Sequence, residues 1–476
     1  MNLKYISSFA LGPMASAALG LITIPFLTWF FSVEDIGRFT MVQITLGLTV
    51  SLLSLAMHQA YVREYHEQDD KTVLLKAAMV PGLIAVILTL FIIIISPYSL
   101  SEMLFGIDSS TLTILLIISI IATFLLNFLS HVLRMEERGW AFSITQVMPK
   151  FTLLIFIFIV VIFGLSNDFV VLMGSNSISL VVTLCCFLLL TFNSWKNIFK
   201  VSIDTVLMKE MLKFSLPLVA GGLAYWGLTT IDRFFLRAYS GFEQLGLYSV
   251  GVTIVSAVSV ITSIFASIWH PTVYKWVKEG INPQKVQSVI EYMVLAFSLI
   301  WSIAGILSWI IPVFLPPEYK NISFLIVSSI AMPLFYLLSE TTVVGIGISR
   351  RSSYAMLASI AAVIVNAILN YLLIPRYGAA GASLATCYSF FVFFVFRTEA
   401  SAYLWVSLPR VKVYIIVFSY LITTTIVFIY TQILDVNKIS LFNTIWLCLL
   451  ALSIFLYKER SIQVYRYVKN NLLELI

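Results

Sequence analysis

An all-helical protein that crosses the membrane many times is predicted by three features. Hydrophobic residues make up 60% of the 476-residue chain, Asp, Glu, Lys and Arg only 11%, and the apolar residues fall in long runs split by short charged loops. A soluble domain carries about 25% charged residues, because its surface faces water. The mean hydropathy of +0.99 leaves no such surface. A soluble enzyme, a disordered chain and a disulfide scaffold are therefore excluded. The four cysteines, Cys185, Cys186, Cys387 and Cys448, all lie within apolar runs and make neither a disulfide framework nor a metal cluster. The net charge of +6 sits in loops, so membrane topology accounts for it and nucleic acid is not an expected partner.

A bilayer core takes about 20 apolar residues per helix. Fourteen stretches qualify: 7–31, 39–62, 73–96, 111–133, 141–164, 169–192, 214–237, 245–269, 286–312, 322–348, 354–375, 379–402, 413–432 and 442–457. The first contains Ala15-Ser16-Ala17, which looks like a signal-cleavage site, but the run continues to Phe31 and reads as an uncleaved span. Between the eleventh and twelfth stretches, Tyr377-Gly378 must turn the chain. Lys and Arg set the orientation. With the N-terminus in the cytoplasm, twenty basic residues fall in inner segments and only Arg38, Lys320, Arg376 and Lys438 in outer loops. Both termini are then cytoplasmic. Most tryptophans, such as Trp29, Trp140, Trp269 and Trp446, lie near span ends, as an interfacial belt requires.

The sequence repeats itself. Val33-Glu34-Asp35-Ile36-Gly37-Arg38-Phe39, which joins spans one and two, matches Phe242-Glu243-Gln244-Leu245-Gly246-Leu247-Tyr248 at an offset of 209. Asp108 pairs with Glu318 at 210, and Phe163-Gly164 with Tyr377-Gly378 at 214. The offset spans an even number of helices, so the copies run parallel, a design that transporters use with the substrate between the halves. The expected organisation is an N-lobe over 1–200, a C-lobe over 205–406 and a two-helix extension with a cytoplasmic tail over 407–476.

Polar residues inside spans face protein or water, because hydrocarbon offers them no partner. Gln43, Gly47, Ser51, Ser54 and His58 follow one face of span two, and Ser249, Thr253, Ser256, Ser263 and Ser267 one face of span eight. Asn127, His131 and Arg134 share a face of span four, Ser143, Gln146 and Lys150 a face of span five, and Asn366 and Asn370 lie one turn apart on span eleven. Either these stripes glue helices together or they line a hydrated cavity. A charge at mid-bilayer costs about 2.5–3.5 kcal/mol, so Lys150, Asp232, Arg233, Arg237 and Glu340 require a reason to be there. Arg233 and Arg237 share a face, whereas Asp232 and Arg233 are neighbours about 100° apart and do not simply pair. Glu291 and Arg397 lie close to span ends, where a charge needs no special account, and His58, His131 and His270 read as satisfied polar residues near the inner side rather than proton carriers. The candidate substrate-binding set is Lys150, Arg233, Arg237, Gln43, His58, Asn127, His131, Gln146, Asn366 and Asn370, and the candidate ion-coupling pair is Asp232 and Glu340. Cations in a cavity suit an anionic ligand. Neither a phosphate-binding loop nor a metal-ligand motif occurs, so no cofactor is expected and ATP is not the driver.

These residues bring a family into view. Leu11-Gly12-Pro13 through Pro25, Phe214-Ser215-Leu216-Pro217 with Ile231-Asp232-Arg233, Leu315-Pro316-Pro317-Glu318-Tyr319, and the run from Asn370 through Pro375 and Gly378 to Ala382 lie in order over roughly residues 1–405. The chain resembles the oligosaccharide-lipid flippases that export O-antigen or capsular repeat units, within the superfamily that includes multidrug MATE exporters. The resemblance implies two six-helix lobes forming a V and alternating access. It also implies an undecaprenyl-diphosphate-linked oligosaccharide as substrate, moved across a bacterial inner membrane. Lys150, Arg233 and Arg237 are the positions able to serve the cationic cavity of that family. Further expected partners are membrane lipids, H+ or Na+, and a polysaccharide polymerase and chain-length regulator around a monomeric flippase. The alternatives are a cation-coupled multidrug exporter, which would favour acidic cavity residues, and an integral-membrane glycosyltransferase or polymerase, which would need a sizeable outer loop or an acidic cluster.

Overall fold

The computed structural model describes residues 3–280, 284–407, 409–434 and 439–474, and every regular element among them is helical. Lys438, counted above as an outer-loop cation, lies outside the described residues. The first half holds α1 (Leu3–Phe30), α2 (Val33–Leu48), α3 (Met57–Glu64), α4 (Lys71–Ile95), α5 (Leu100–Phe105), α6 (Ser110–Met135), α7 (Gly139–Ile162), α8 (Phe169–Leu190), α9 (Phe192–Trp195) and α10 (Thr205–Tyr239). The second holds α11 (Gly241–Lys278), α12 (Gln284–Leu307), α13 (Ile322–Ser329), α14 (Ala331–Thr342), α15 (Val344–Ile348), α16 (Ser353–Leu404), α17 (Val411–Phe428), α18 (Ile439–Leu456) and α19 (Lys458–Glu474).

Short polar residues start these helices by accepting from the orphan amides of the first turn. The Asp70 carboxylate accepts from Thr72 N at 2.8 Å, Asp168 from Val171 N at 2.9 Å and Asp204 from Val206 N at 3.0 Å. Ser32 caps α2 in the same way, so Val33–Phe39, expected as the connector between spans one and two, forms the first turns of a helix. Arg38 closes that turn on Asp35 at 2.8 Å and Glu34 at 3.0 Å.

Among the described residues, twelve helices are long and apolar enough to cross a membrane, or thirteen if the bent pair 440–456 and 458–466 forms one more. The sequence expectation was fourteen, and two local features account for the difference. The 52-residue α16 contains both the eleventh and twelfth stretches, and its backbone leaves the helical region at Gly378, where φ is +52°. That conformation is cheap only for glycine, and it marks the expected turn. The last stretch is short and bends by 93° into α19.

Two compact units emerge, 1–233 and 234–476. The boundary falls inside α10, which the repeat assigned to the C-lobe. In the first unit α1 packs along α7, and α8 packs against both α6 and α7. Close approach of α1 and α7 requires Gly12: a Cβ there would stand 2.7 Å from Ser143 Cα. In the second unit α11, α13 and α14 pack against α16, and the C-terminal α17 and α18 pack on α12. An aromatic cluster joins that extension to the lobe, with Trp301 and Tyr420 centroids 5.5 Å apart and Phe297 and Tyr420 5.6 Å apart. Arg460 adds an ion pair to Glu291 at 2.7 Å.

The units break their helices at different places. In the first, the helix entered at Val33 passes through a π-helical turn at Thr49–Leu53 and then through Leu55 and Ala56, whose φ angles are +51° and +52°, before α3 begins. Non-glycine residues hold that conformation only at a cost of order 1–3 kcal/mol each. The corresponding α11 runs unbroken from Gly241 to Lys278. There the interruption falls in the fourth span instead, split into α13, α14 and α15, while its counterpart α6 is continuous.

Candidate functional site

His58 stands in the first turn of α3, directly after the left-handed residues, with its Nδ1 3.3 Å from Ser54 Oγ. His131, on α6, contacts the Asn127 carbonyl through Nδ1 at 2.8 Å. Their ring centroids are 4.9 Å apart. Both line an open cavity of about 470 Å³ with Gln59, Val62, Arg63, Arg134 and Phe214. It opens at the end of the unit that carries the Lys- and Arg-rich loops. The Arg63 guanidinium sits 4.5 Å from the Phe214 ring centroid and 3.4 Å from a Glu64 oxygen. Arg134 is exposed and has no ion pair among the described residues. Two guanidiniums and two imidazoles thus share one cavity, and no carboxylate is among its described lining residues. Such a pocket has forked N–H donors for a phosphate-like anion.

Of the predicted binding residues, His58 and His131 meet here, and Asn127 supports His131. Arg63 and Arg134 lie outside the predicted binding set, although the 127, 131, 134 spacing on span four already put Arg134 on the polar face.

The other predicted residues lie elsewhere. The span-five stripe faces α1: Gly12 N donates to Ser143 Oγ at 3.0 Å, and Lys150 Nζ donates to the Ser16 carbonyl at 2.9 Å. Lys150 therefore folds back onto protein. Gln146 donates to its neighbour Thr145 at 3.3 Å. Gln43 is exposed and donates to Asn176 at 3.4 Å. Asn366 and Asn370 are fully buried in the second unit, where Asn370 Nδ2 donates to Asn366 Oδ1 at 2.7 Å and Asn366 Nδ2 to Thr386 at 3.4 Å. They join the two halves of α16. Asp232 is buried; its Oδ1 accepts from Arg233 N at 2.8 Å and lies 3.9 Å from the Arg233 guanidinium. A loose pair does form between these neighbours, contrary to the expectation from their angular separation, because the long Arg side chain turns back along the helix. Its Nη1 also donates to the Thr229 carbonyl at 2.6 Å. The Arg237 guanidinium packs 4.4 Å from the Phe242 ring centroid.

Glu340 is the centre of a second cluster. Arg397 Nη1 donates to Glu340 Oε1 and to Ser339 Oγ, both at 2.8 Å, and His270 Nε2 lies 3.1 Å from Glu340 Oε2. Position near a span end had suggested that Arg397 needs no partner. In fact it is partly buried and forms an ion pair with a residue 57 positions away in sequence. No group of three or more His, Cys, Asp or Glu able to hold a metal occurs among the described residues.

Residues 3–277 match the family described as "Polysaccharide biosynthesis protein". No curated protein sequence matches the chain. Among solved structures, the fold is similar to "Lipid II flippase MurJ, inward closed conformation", with a TM-score of 0.66 and 16% identity, covering 97% of this chain and 99% of that one. It is also similar to an inward-facing multidrug resistance MATE family transporter of the MOP superfamily, at a TM-score of 0.57 and 14% identity over 83% of this chain and 94% of that one. A MATE structure in complex with MaL6 follows, at 0.52 and 14% over 84% and 96%. Identities this low establish the MurJ/MATE-like fold and nothing finer.

Proposed function

We propose that this chain, which belongs to the polysaccharide biosynthesis protein family, is a flippase. It moves an undecaprenyl-diphosphate-linked oligosaccharide from the cytoplasmic to the outer leaflet of a bacterial inner membrane by alternating access. The observation that carries this reading is the pocket of Arg63, Arg134, His58 and His131 at the Lys- and Arg-rich end of the first unit. Its donors match the diphosphate, the one part of such a substrate that is invariably charged. A diphosphate diester carries about two negative charges, and each is worth about 2.3 kcal/mol per 100 mV, so an inside-negative potential favours outward movement by about 4–5 kcal/mol. The pocket captures the headgroup and the potential supplies direction. Coupling to H+ or Na+ through Asp232 is the rival drive.

Reconstituted vesicles holding labelled undecaprenyl-diphosphate oligosaccharide test the reading. Translocation is expected to slow at least tenfold in the Arg63→Ala/Arg134→Ala double variant, a loss of about 1.4 kcal/mol. Wild-type rates in that variant would refute the assigned pocket. Collapsing the membrane potential at constant pH separates the two drives. Multidrug export, which shares this fold, predicts ethidium efflux from the same vesicles and no oligosaccharide movement.

A further inference from the structure

At the end of the second unit where the charge bias puts the outer face, α12, α13, α17 and α18 enclose a cavity of about 350 Å³. Its size falls at the lower end of the range for small-molecule sites. The floor is aromatic: Trp446 is 1% exposed, and Phe324 and Phe442 are buried beside it. The indole lies flat against α12 because residue 305 is glycine; a Cβ there would stand 2.6 Å from three atoms of the ring. Trp309 forms the rim and is half exposed. The remaining wall is polar. Asn321, Gln432 and Asn443 contribute carboxamides, Ser308, Ser323 and Thr431 hydroxyls, and Lys320 the one formal charge among the described lining residues. Thr431 and Gln432 are presented by a π-helical turn, Ile429–Ile433, a distortion that concentrates at functional sites.

Flat aromatic surface combined with carboxamides and hydroxyls, and with a single charge, is the chemistry that takes a pyranose. The sugar's C–H face covers an indole while its hydroxyls pair with amide donors and acceptors. An anion-selective site would need more cations, and an acyl-chain groove would not place three carboxamides in its wall. We propose that this cavity is a sugar-binding site, distinct from the basic pocket of the first unit, that holds part of the glycan after it reaches the outer side. The proposal rests on the flippase reading for its purpose but not for its test.

The purified full-length protein is titrated with N-acetylglucosamine, galactose and glucuronic acid, with binding read by saturation-transfer NMR and tryptophan fluorescence. At least one sugar is expected to bind, and Trp309→Ala and Asn443→Ala are each expected to weaken it at least tenfold while the thermal transition of the protein stays unchanged. Arg134→Ala, in the other unit, should leave sugar binding intact. Trp309 and Asn443 are not fully buried, so these changes do not remove core packing; Gln432→Ala provides a third, independent variant. Absence of binding by all three sugars, or binding that survives all three variants, would overturn the proposal. So would displacement of the sugar by phosphatidylglycerol nanodiscs but not by phosphatidylcholine nanodiscs, which would make the cavity a lipid-headgroup site. Failure here with normal oligosaccharide translocation would remove the sugar site alone; loss of translocation in Arg63→Ala/Arg134→Ala addresses the flippase reading separately.

Discussion

The repeat sets His58 opposite His270, at an offset of 212, and His131 opposite Glu340, at 209. At the same place in each unit, then, stands a pair of titratable side chains, but the pairs differ. In the first unit both members are imidazoles, open to a cavity and flanked by Arg63 and Arg134. In the second unit one member is a carboxylate that is 5% exposed and is held by Arg397 and His270. The first unit's cavity gathers guanidiniums with no carboxylate among its described lining residues; the second unit has built its anion into the chain. A single fold position is an open, arginine-lined cavity in one lobe and an internal clasp in the other. The deciding change is one residue type, His against Glu, together with an arginine brought in from α16.

The helix breaks support the contrast. The strained turn at Leu55 and Ala56 lifts His58 onto a short helix facing the open cavity. In the second unit α11 is continuous at that level, and the break falls between α14 and α15 beside Glu340. Strain of this kind persists where the surroundings hold it in place.

The largest expected effect is on the clasp. Arg397→Ala leaves the Glu340 carboxylate buried with His270 alone, and losing one partner of a buried pair costs about 3–5 kcal/mol. The thermal transition of the detergent-purified protein should fall sharply, and replacing Glu340 with Gln in the same chain should recover part of it. A transition unchanged by Arg397→Ala would show that the second unit does not depend on its built-in anion.

Converting one unit into the other is the next test. His131→Glu places a carboxylate between His58 and Arg134, as Glu340 is placed between His270 and Arg397. Affinity for inorganic pyrophosphate, measured by calorimetry, should drop by about 1.5–3 kcal/mol, the usual worth of a charged hydrogen bond. That is roughly ten- to 150-fold. Undiminished binding would place the anion elsewhere.

The smallest effect concerns Lys150, the cation that hydropathy singled out. Its ammonium already bonds the Ser16 carbonyl across the α1–α7 contact. Lys150→Met should cost about 1 kcal/mol of stability, the scale of one hydrogen bond, and leave pyrophosphate affinity as in the unchanged protein. A loss of affinity comparable to that of His131→Glu would move the binding site towards α7.

Much of this molecule is written in local pattern. Apolar run length marks the membrane helices, the basic loops mark one face, and Gly378 breaks α16 where the turn was expected. The spacing of Asn127, His131 and Arg134 places three polar groups on one side of a helix. These are consequences of steps of three and four residues, which a sequence carries directly. The partners of those groups are not local. His58 meets His131 across 73 positions, Lys150 reaches Ser16 across 134, and Arg397 finds Glu340 across 57. Nothing in the hydropathy of α16 distinguishes an arginine near a span end from one clasping a buried carboxylate. Periodicity says which face of a helix is polar, while the packing of other helices determines what that face meets. The sequence by itself therefore determined a membrane-embedded helical repeat with too many cations for its apolar surroundings. Only the tertiary structure decided which cations are neutralised within the chain and which are left at an open pocket, because charge compensation in a low-dielectric interior depends on distances of a few ångströms between segments far apart in the chain.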